Sequence, residues 1–370
     1  MRKDPRIGKL VHKVLTESIR LQPDEKIYLE FEGEQTLPVM EEFIRQTIQL
    51  GGVPFYFFND TAHHIALSQG CSEKQMFALG KIHAEIMEQM DAYVVVRGYT
   101  NPYDKTVLTA EEQGLFNRGF MGPVHYDVRI KKRWMVMRWP TNVAAALAKM
   151  NTAEFEDFYF NACLFDYRQF EQAAHPLADL LSKTNRVSIC GSGTDLEFSI
   201  KGIPPTISYG VRNLPDGEVF TAPVKDSIYG EILFNTETVI RGEPFSDIKL
   251  KFEKGKVVDA SCSAGSNEKL HSIINIDAGS CYIGEFAFGL NPYITHTTGE
   301  GLYDEKIIGS IHMALGNSIP SSCNGNHSAI HEDLVRIMRP EYGGGEIRFD
   351  GELVYKDGQF VLEELAGLNR

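Results

Sequence analysis

The strongest constraint on this chain is an alternation in its first half: short apolar runs separated by segments of helical period. Residues Lys26–Glu32 (KIYLEFE), 53–58 (VPFYFF) and Ala92–Arg97 (AYVVVR) read as strands. Ile7, Leu10, Val11, Val14 and Leu15 recur at helical spacing after Pro5, which predicts an amphipathic helix over 6–21. Helices are also expected over 35–50, closed by Gly51-Gly52, and over 73–90. Apolar strands joined through helices imply a parallel sheet covered on both faces, a doubly wound α/β domain. Residues 133–139 add a strand, and 142–183 read as further helix.

From about residue 186 the texture changes. Short segments of alternating or apolar character, among them 186–190, 194–200, 231–234, 248–253, 257–261, 347–349 and 359–362, are punctuated by turn signals such as Asp350-Gly351. This half is mixed and strand-rich. A length of 370 residues fits two domains, and the expected division is 1–184, an α/β domain, and 185–370, a mixed α+β domain.

The balance of charge narrows the partners. Lys and Arg total 37 against 50 Asp and Glu, so 37 − 50 = −13, which argues against non-specific binding to nucleic acid or membrane. Six cysteines at 71, 163, 190, 262, 281 and 323 form no C-x-x-C and no framework, as expected of reduced thiols in a cytoplasmic protein. The opening MRKDPRIGKL lacks a signal-peptide apolar core, and no apolar run reaches membrane-spanning length.

Several chemistries lack their motifs. There is no G-x-x-x-x-G-K-[ST], no G-x-G-x-x-G after the first strand, no G-x-S-x-G and no H-E-x-x-H. What remains is a set of metal-ligand residue types in the second half. In SAIHEDLVRI, a strand would point His331 and Asp333 to one face, a two-point cation site or a polar patch at a strand end. His312 sits inside the apolar run of SIHMALGNSIP, where a satisfied core histidine is the plainer reading. Glu285 interrupts CYIGEFAFGLNP; it is either solvent-facing or a buried carboxylate that needs a cation or hydrogen bonds. Glu218 follows the turn Pro215-Asp216-Gly217, a place where a carboxylate is usually solvated.

Taken together and in this order, NLPDGEVFTAP, IGEFAFGLNP, HMALG and SAIHEDLV resemble the four signature segments of the aminopeptidase T family, the M29 metallo-aminopeptidases. The resemblance covers most of 186–370 and extends loosely to DAYVVVRG and MRWPT in the first half. It implies five metal ligands, Glu218, Glu285, His312, His331 and Asp333, holding two divalent ions of the zinc, cobalt or manganese type with one carboxylate bridging. It implies release of N-terminal residues from small peptides by a metal-activated water, with Glu285 taking the water proton. It also implies a homodimer. The family's tyrosine, seven residues after the His of HMALG, is Ile319 here, which donates no hydrogen bond to a developing oxyanion. Two further readings stand beside the peptidase. One is a mononuclear iron(II) ring-cleaving dioxygenase related to dihydroxypyridine dioxygenases, using His312, His331 and Asp333 as a facial triad. The other is an inactive metal-binding homologue.

Overall fold

The computed structural model describes residues 4–98, 101 and 104–369. The chain divides into two compact units, Met1–Leu164 with Gly210–Pro215, and Phe165–Tyr209 with Asp216–Arg370. This division differs from the expected break at 184 by the helix Tyr167–Lys183. That helix buries Tyr167, Phe170, Ala174, Leu177 and Leu181 along one stripe. It packs on strands Thr206–Ser208 and Glu218–Thr221 and on the turn Glu363–Leu368, all in the second unit.

The first unit is built on the expected parallel sheet. Its strands run in the order Val53–Asn59, Lys26–Glu32, Ala92–Arg97, Arg133–Arg138 and Asn213–Leu214, and every pairing is parallel. Tyr28, Met87, Met90, Tyr93, Val95 and Val124 form a core between the sheet and its helices. The expected helix over 142–183 is three helices, Asn142–Leu147, Thr152–Cys163 and Tyr167–Lys183. Capping chemistry makes the breaks: Asn151 and Glu154 form a capping box, and Asp166 accepts from the Gln169 N–H.

The second unit holds two antiparallel sheets. One has eight strands and includes Tyr229–Ile240, Arg186–Gly191 and Glu346–Phe349. The other has five, in the order His331–Ile337, Ser310–Gly316, Ile283–Gly289, Glu218–Thr221 and Thr206–Ser208. Period-two alternation gives the middle strands of this smaller sheet two different faces. Phe286 and Phe288 point one way and pack edge-on against Phe198, Phe349 and Tyr355 of the larger sheet. Replacing such a buried phenylalanine with alanine costs about 3–5 kcal/mol. Glu285, Ala287 and Gly289 therefore face the other way. Among the described residues no helix is long and apolar enough to cross a membrane, and all six cysteines are free.

Candidate metal centre

The side chains singled out in the sequence meet on that second face of the five-stranded sheet. Directly paired residues of antiparallel strands share a face. Asp333 pairs with Ala314, and Ala314 with Glu285; His331 pairs with Gly316; His312 pairs with Ala287; Glu218 pairs with Gly289. Each ligand type is thus set opposite an alanine or glycine, so the face carries five polar side chains with open room between them. His312 lies in an apolar run because Ile311, Met313 and Leu315 belong to the opposite, packed face.

Glu218 is aimed by the turn that precedes it. Gly217 has φ +115°, a backbone conformation that favours glycine, and a Cβ there would meet Asn291 at 3.3 Å. The turn is pinned from two sides: the Asp216 N–H donates to Tyr167 Oη at 2.7 Å, and Asn291 Nδ2 donates to the Asp216 carbonyl at 2.8 Å. Asn291 of the GLNP segment therefore orients the carboxylate rather than binding a cation itself.

Distances within the cluster are short. His312 Nε2 lies 3.2 Å from Glu285 Oε1 and 3.4 Å from Glu218 Oε2. His331 Nε2 lies 3.5 Å from both Glu285 Oε2 and Asp333 Oδ1. His331 Nδ1 sits 2.7 Å from the Asn317 carbonyl; donation there places the proton on Nδ1 and leaves Nε2 facing the carboxylates. Ligand atoms of Glu218, Glu285 and His312 lie within 4.8 Å of one another, as do those of Glu285, His331 and Asp333, and those of Glu305, His312 and Asp333. Glu285 is common to the first two groups.

Two residues at this face escaped sequence reasoning. Lys306 is buried and reaches Glu218 Oε1 at 2.6 Å, Glu305 Oε1 at 2.7 Å and Asp216 Oδ1 at 3.7 Å. Glu305 is buried beside it. The stretch YDEKIIG reads as a solvated charged turn, and the available signal was the apolar IIGSI that follows at once. Asp304 holds the turn by accepting from the Thr298 and Gly299 N–H groups, and burial pushes its carboxyl up to about 7.

Charge explains what the cluster lacks. Asp216, Glu218, Glu285, Glu305 and Asp333 are carboxylates, and the Lys306 ammonium lies against three of them, Asp216, Glu218 and Glu305. Burial raises the Glu285 carboxyl, and burial raises Glu305 far more, beyond what Lys306 offsets. Burial opposes charge on the imidazoles, yet Glu285, Glu218 and Asp333 raise His312, and Asp333 and Glu285 raise His331 well above its ordinary value. Burial opposes Asp333 too, but His331 and His312 lower it. Protons thus stand in for missing positive charge. Glu218 Oε2 and Glu285 Oε2 are buried without a hydrogen-bond partner among the described residues. A buried acceptor of this kind is costly unless a cation meets it. The donor set of carboxylate oxygens and imidazole nitrogens suits borderline divalent ions.

His312, His331 and Asp333 do not form a three-atom group by themselves among the described residues; each imidazole is grouped with a carboxylate that the iron triad omits. The comparisons with known proteins likewise lend no support to the ring-cleaving dioxygenase.

Those comparisons agree with one another. Aminopeptidase AmpS of Bacillus subtilis (strain 168) is 31% identical over 132 residues, 34% of this chain and 31% of that protein. Aminopeptidase 2 of Geobacillus stearothermophilus is 30% identical over 172 residues, 42% of this chain and 40% of that protein. The matched segments span less than half the length of these curated relatives. Wild-type AmpT from Thermus thermophilus has the same fold, with a TM-score of 0.81 at 17% identity, covering 96% of this chain and 99% of that one. The family model described as thermophilic metalloprotease (M29) matches residues 3–360, so the chain belongs to the M29 family.

Proposed function

We propose that this chain is a metal-dependent aminopeptidase that releases the N-terminal residue of small peptides. Glu218, Glu285, His312, His331 and Asp333 hold two divalent ions of the zinc, cobalt or manganese type in this reading. The observation that carries it is the sharing of Glu285 between two ligand groups on one sheet face. Membership of the M29 family and the aminopeptidase names of the relatives support it.

Bound divalent ions would supply Lewis acidity and a water acidic enough to ionise near neutral pH. The chain supplies the rest. Glu285, with one oxygen toward each imidazole, would be the carboxylate shared by the two ions. That leaves it little freedom to accept a proton, the role expected for it from sequence. Glu305 would be the proton carrier: the Lys306 ammonium at 2.7 Å favours its ionised form, and burial raises its affinity for a proton. Ionised, it would accept the proton of the attacking water and, once protonated, return it to the leaving amine. Lys306 keeps Glu218 Oε1 occupied, so Oε2 is the oxygen presented to the cluster. Ile319 contributes no hydroxyl. Free thiols support a reducing, cytoplasmic setting, and the excess of acidic residues supports the absence of a nucleic-acid partner. A homodimer is part of the same proposal.

The test is reconstitution. Chelator-treated protein is reloaded with zinc, cobalt or manganese and given a leucine-initiated tripeptide and its N-acetylated form. Release of free leucine from the first alone, with two ions per chain, is expected. Turnover that survives chelation, or equal cleavage of the acetylated peptide, would sink the assignment.

A further inference from the structure

The first unit has a pocket of its own, of about 700 Å³, and every residue lining it belongs to that unit. It lies at the carboxyl end of the parallel sheet. Glu32, Asn59 and Arg97 end three adjacent strands, in register with one another, and Glu30 lies two residues before Glu32 on the same face. The strand Lys26–Glu32 runs between Val53–Asn59 and Ala92–Arg97, so the chain winds away from it in both directions. Open α/β sheets bind ligands at such a switch point.

The lining offers opposite charges a few ångströms apart. Tyr93 Oη donates to Glu30 Oε2 at 2.6 Å, and Oε1 has no hydrogen-bond partner among the described residues. Burial pushes the Glu30 carboxyl up, so an added cation would relieve it. Arg97 Nε stands 3.8 Å from Glu32 Oε2, too far for a hydrogen bond, and its guanidinium makes none among the described residues. One wall is aromatic: Phe116 and Phe120 stack at 5.1 Å, and His83 bridges Phe120 to Phe57 with ring distances of 5.0 and 5.2 Å. His125, only 5% exposed, lines the pocket without a hydrogen bond among the described residues. Burial lowers it to about 3, with Arg129 and Arg97 adding to the effect, so it stays neutral. The first strand-to-helix turn, Gly33-Glu34-Gln35-Thr36, is acidic and not glycine-rich, which disfavours a phosphate. No three-residue metal group falls here among the described residues.

We infer that this pocket binds a free α-amino acid with a large apolar side chain. Its ammonium would meet Glu30, its carboxylate Arg97, and its side chain the wall of Phe57, Phe116 and Phe120. His125 would supply a neutral hydrogen-bonding ring at the inner end. The site does not depend on the metal centre, although the ligand belongs to the product class proposed for that centre.

The test uses calorimetric titration of L-phenylalanine into the full chain after chelation, and into the His331→Ala variant after the same chelation, so that no metal can hold the amine. Saturable binding near one per chain is expected in both. L-Phenylalanine amide, which lacks the carboxylate, should bind at least tenfold more weakly, a comparison that needs no mutation. Arg97→Gln and Glu30→Gln should each weaken L-phenylalanine at least tenfold while leaving metal content unchanged. Absence of saturable binding in the chelated chain overturns the proposal, as does equal affinity for the amide or wild-type affinity in both variants. Because no metal takes part, each of these failures leaves the aminopeptidase reading standing.

Discussion

Asp333 and Glu285 flank the same residue, Ala314, one from each neighbouring strand. Ala314 is fully buried; it is the residue set between the two carboxylates in the strand register, and His331 Nε2 lies 3.5 Å from an oxygen of each. The open face exists because this position is small.

A larger side chain there should occupy the space intended for ions. Ala314→Leu is expected to fold with a loss of about 1–3 kcal/mol from overpacking and to purify with fewer than two ions per chain. Ala314→Ser should keep both. Elemental analysis of the two variants decides the point; equal metal content would show that the alanine is not a spacer.

The sharing of Glu285 predicts unequal effects among the ligands. His331→Ala should lose one ion and retain the other, since Glu218, Glu285 and His312 still form a group. Glu285→Gln should weaken both. A Glu285→Gln chain that holds two ions as firmly as the parent would remove Glu285 from the bridging position.

Glu305→Gln separates proton transfer from binding. Turnover is expected to fall about 10²–10⁴-fold, the usual contribution of a general base, with metal content near that of the parent. A turnover change below threefold would return the role to another carboxylate.

Lys306 compensates charge that would otherwise be stranded. Breaking a buried ion pair from one side costs about 3–5 kcal/mol, so Lys306→Met should lower the thermal midpoint of the chelated chain. Added zinc should restore much of that loss, because a bound cation then meets Glu218. Identical midpoints for chelated parent and variant would contradict the network.

The direction of pH dependence follows from the same charges. His312 and His331 are raised from 6.5 in the metal-free chain, and Glu285 and Glu305 are raised from 4.5. Groups raised in the folded state stabilise it fully below their unfolded values and lose that contribution as pH climbs through the folded ones. For the imidazoles the loss begins above about pH 6.5. Metal binding needs neutral imidazole and ionised carboxylate, so it strengthens over the same interval and releases protons. Thermal midpoints measured from pH 5.5 to 8.5 should fall for the chelated chain and diverge upward for the metal-loaded one. Parallel curves would argue against imidazole ligation.

Local pattern was sufficient for much of this protein. Apolar runs separated by helical periodicity determined the parallel sheet of the first unit, because strands covered on both faces can be packed in few other ways. Residue type in GEVFTAP, IGEFAFG, HMALG and IHEDLV singled out the candidate side chains, alternation put His331 and Asp333 on one face, and the resemblance to the M29 segments joined all five into one set. Pairing between strands distant in sequence lay beyond that reach. Only the tertiary structure set Ala314 between Asp333 and Glu285, gave Glu285 to two ligand groups, and brought Lys306 and Glu305 from an apparently solvated turn into the cluster. It also assigned the helix Tyr167–Lys183 to the second unit, through the strands its apolar stripe covers. Cross-strand register and the burial of charge depend on contacts made after the chain has folded, and no local stretch of residues encodes them.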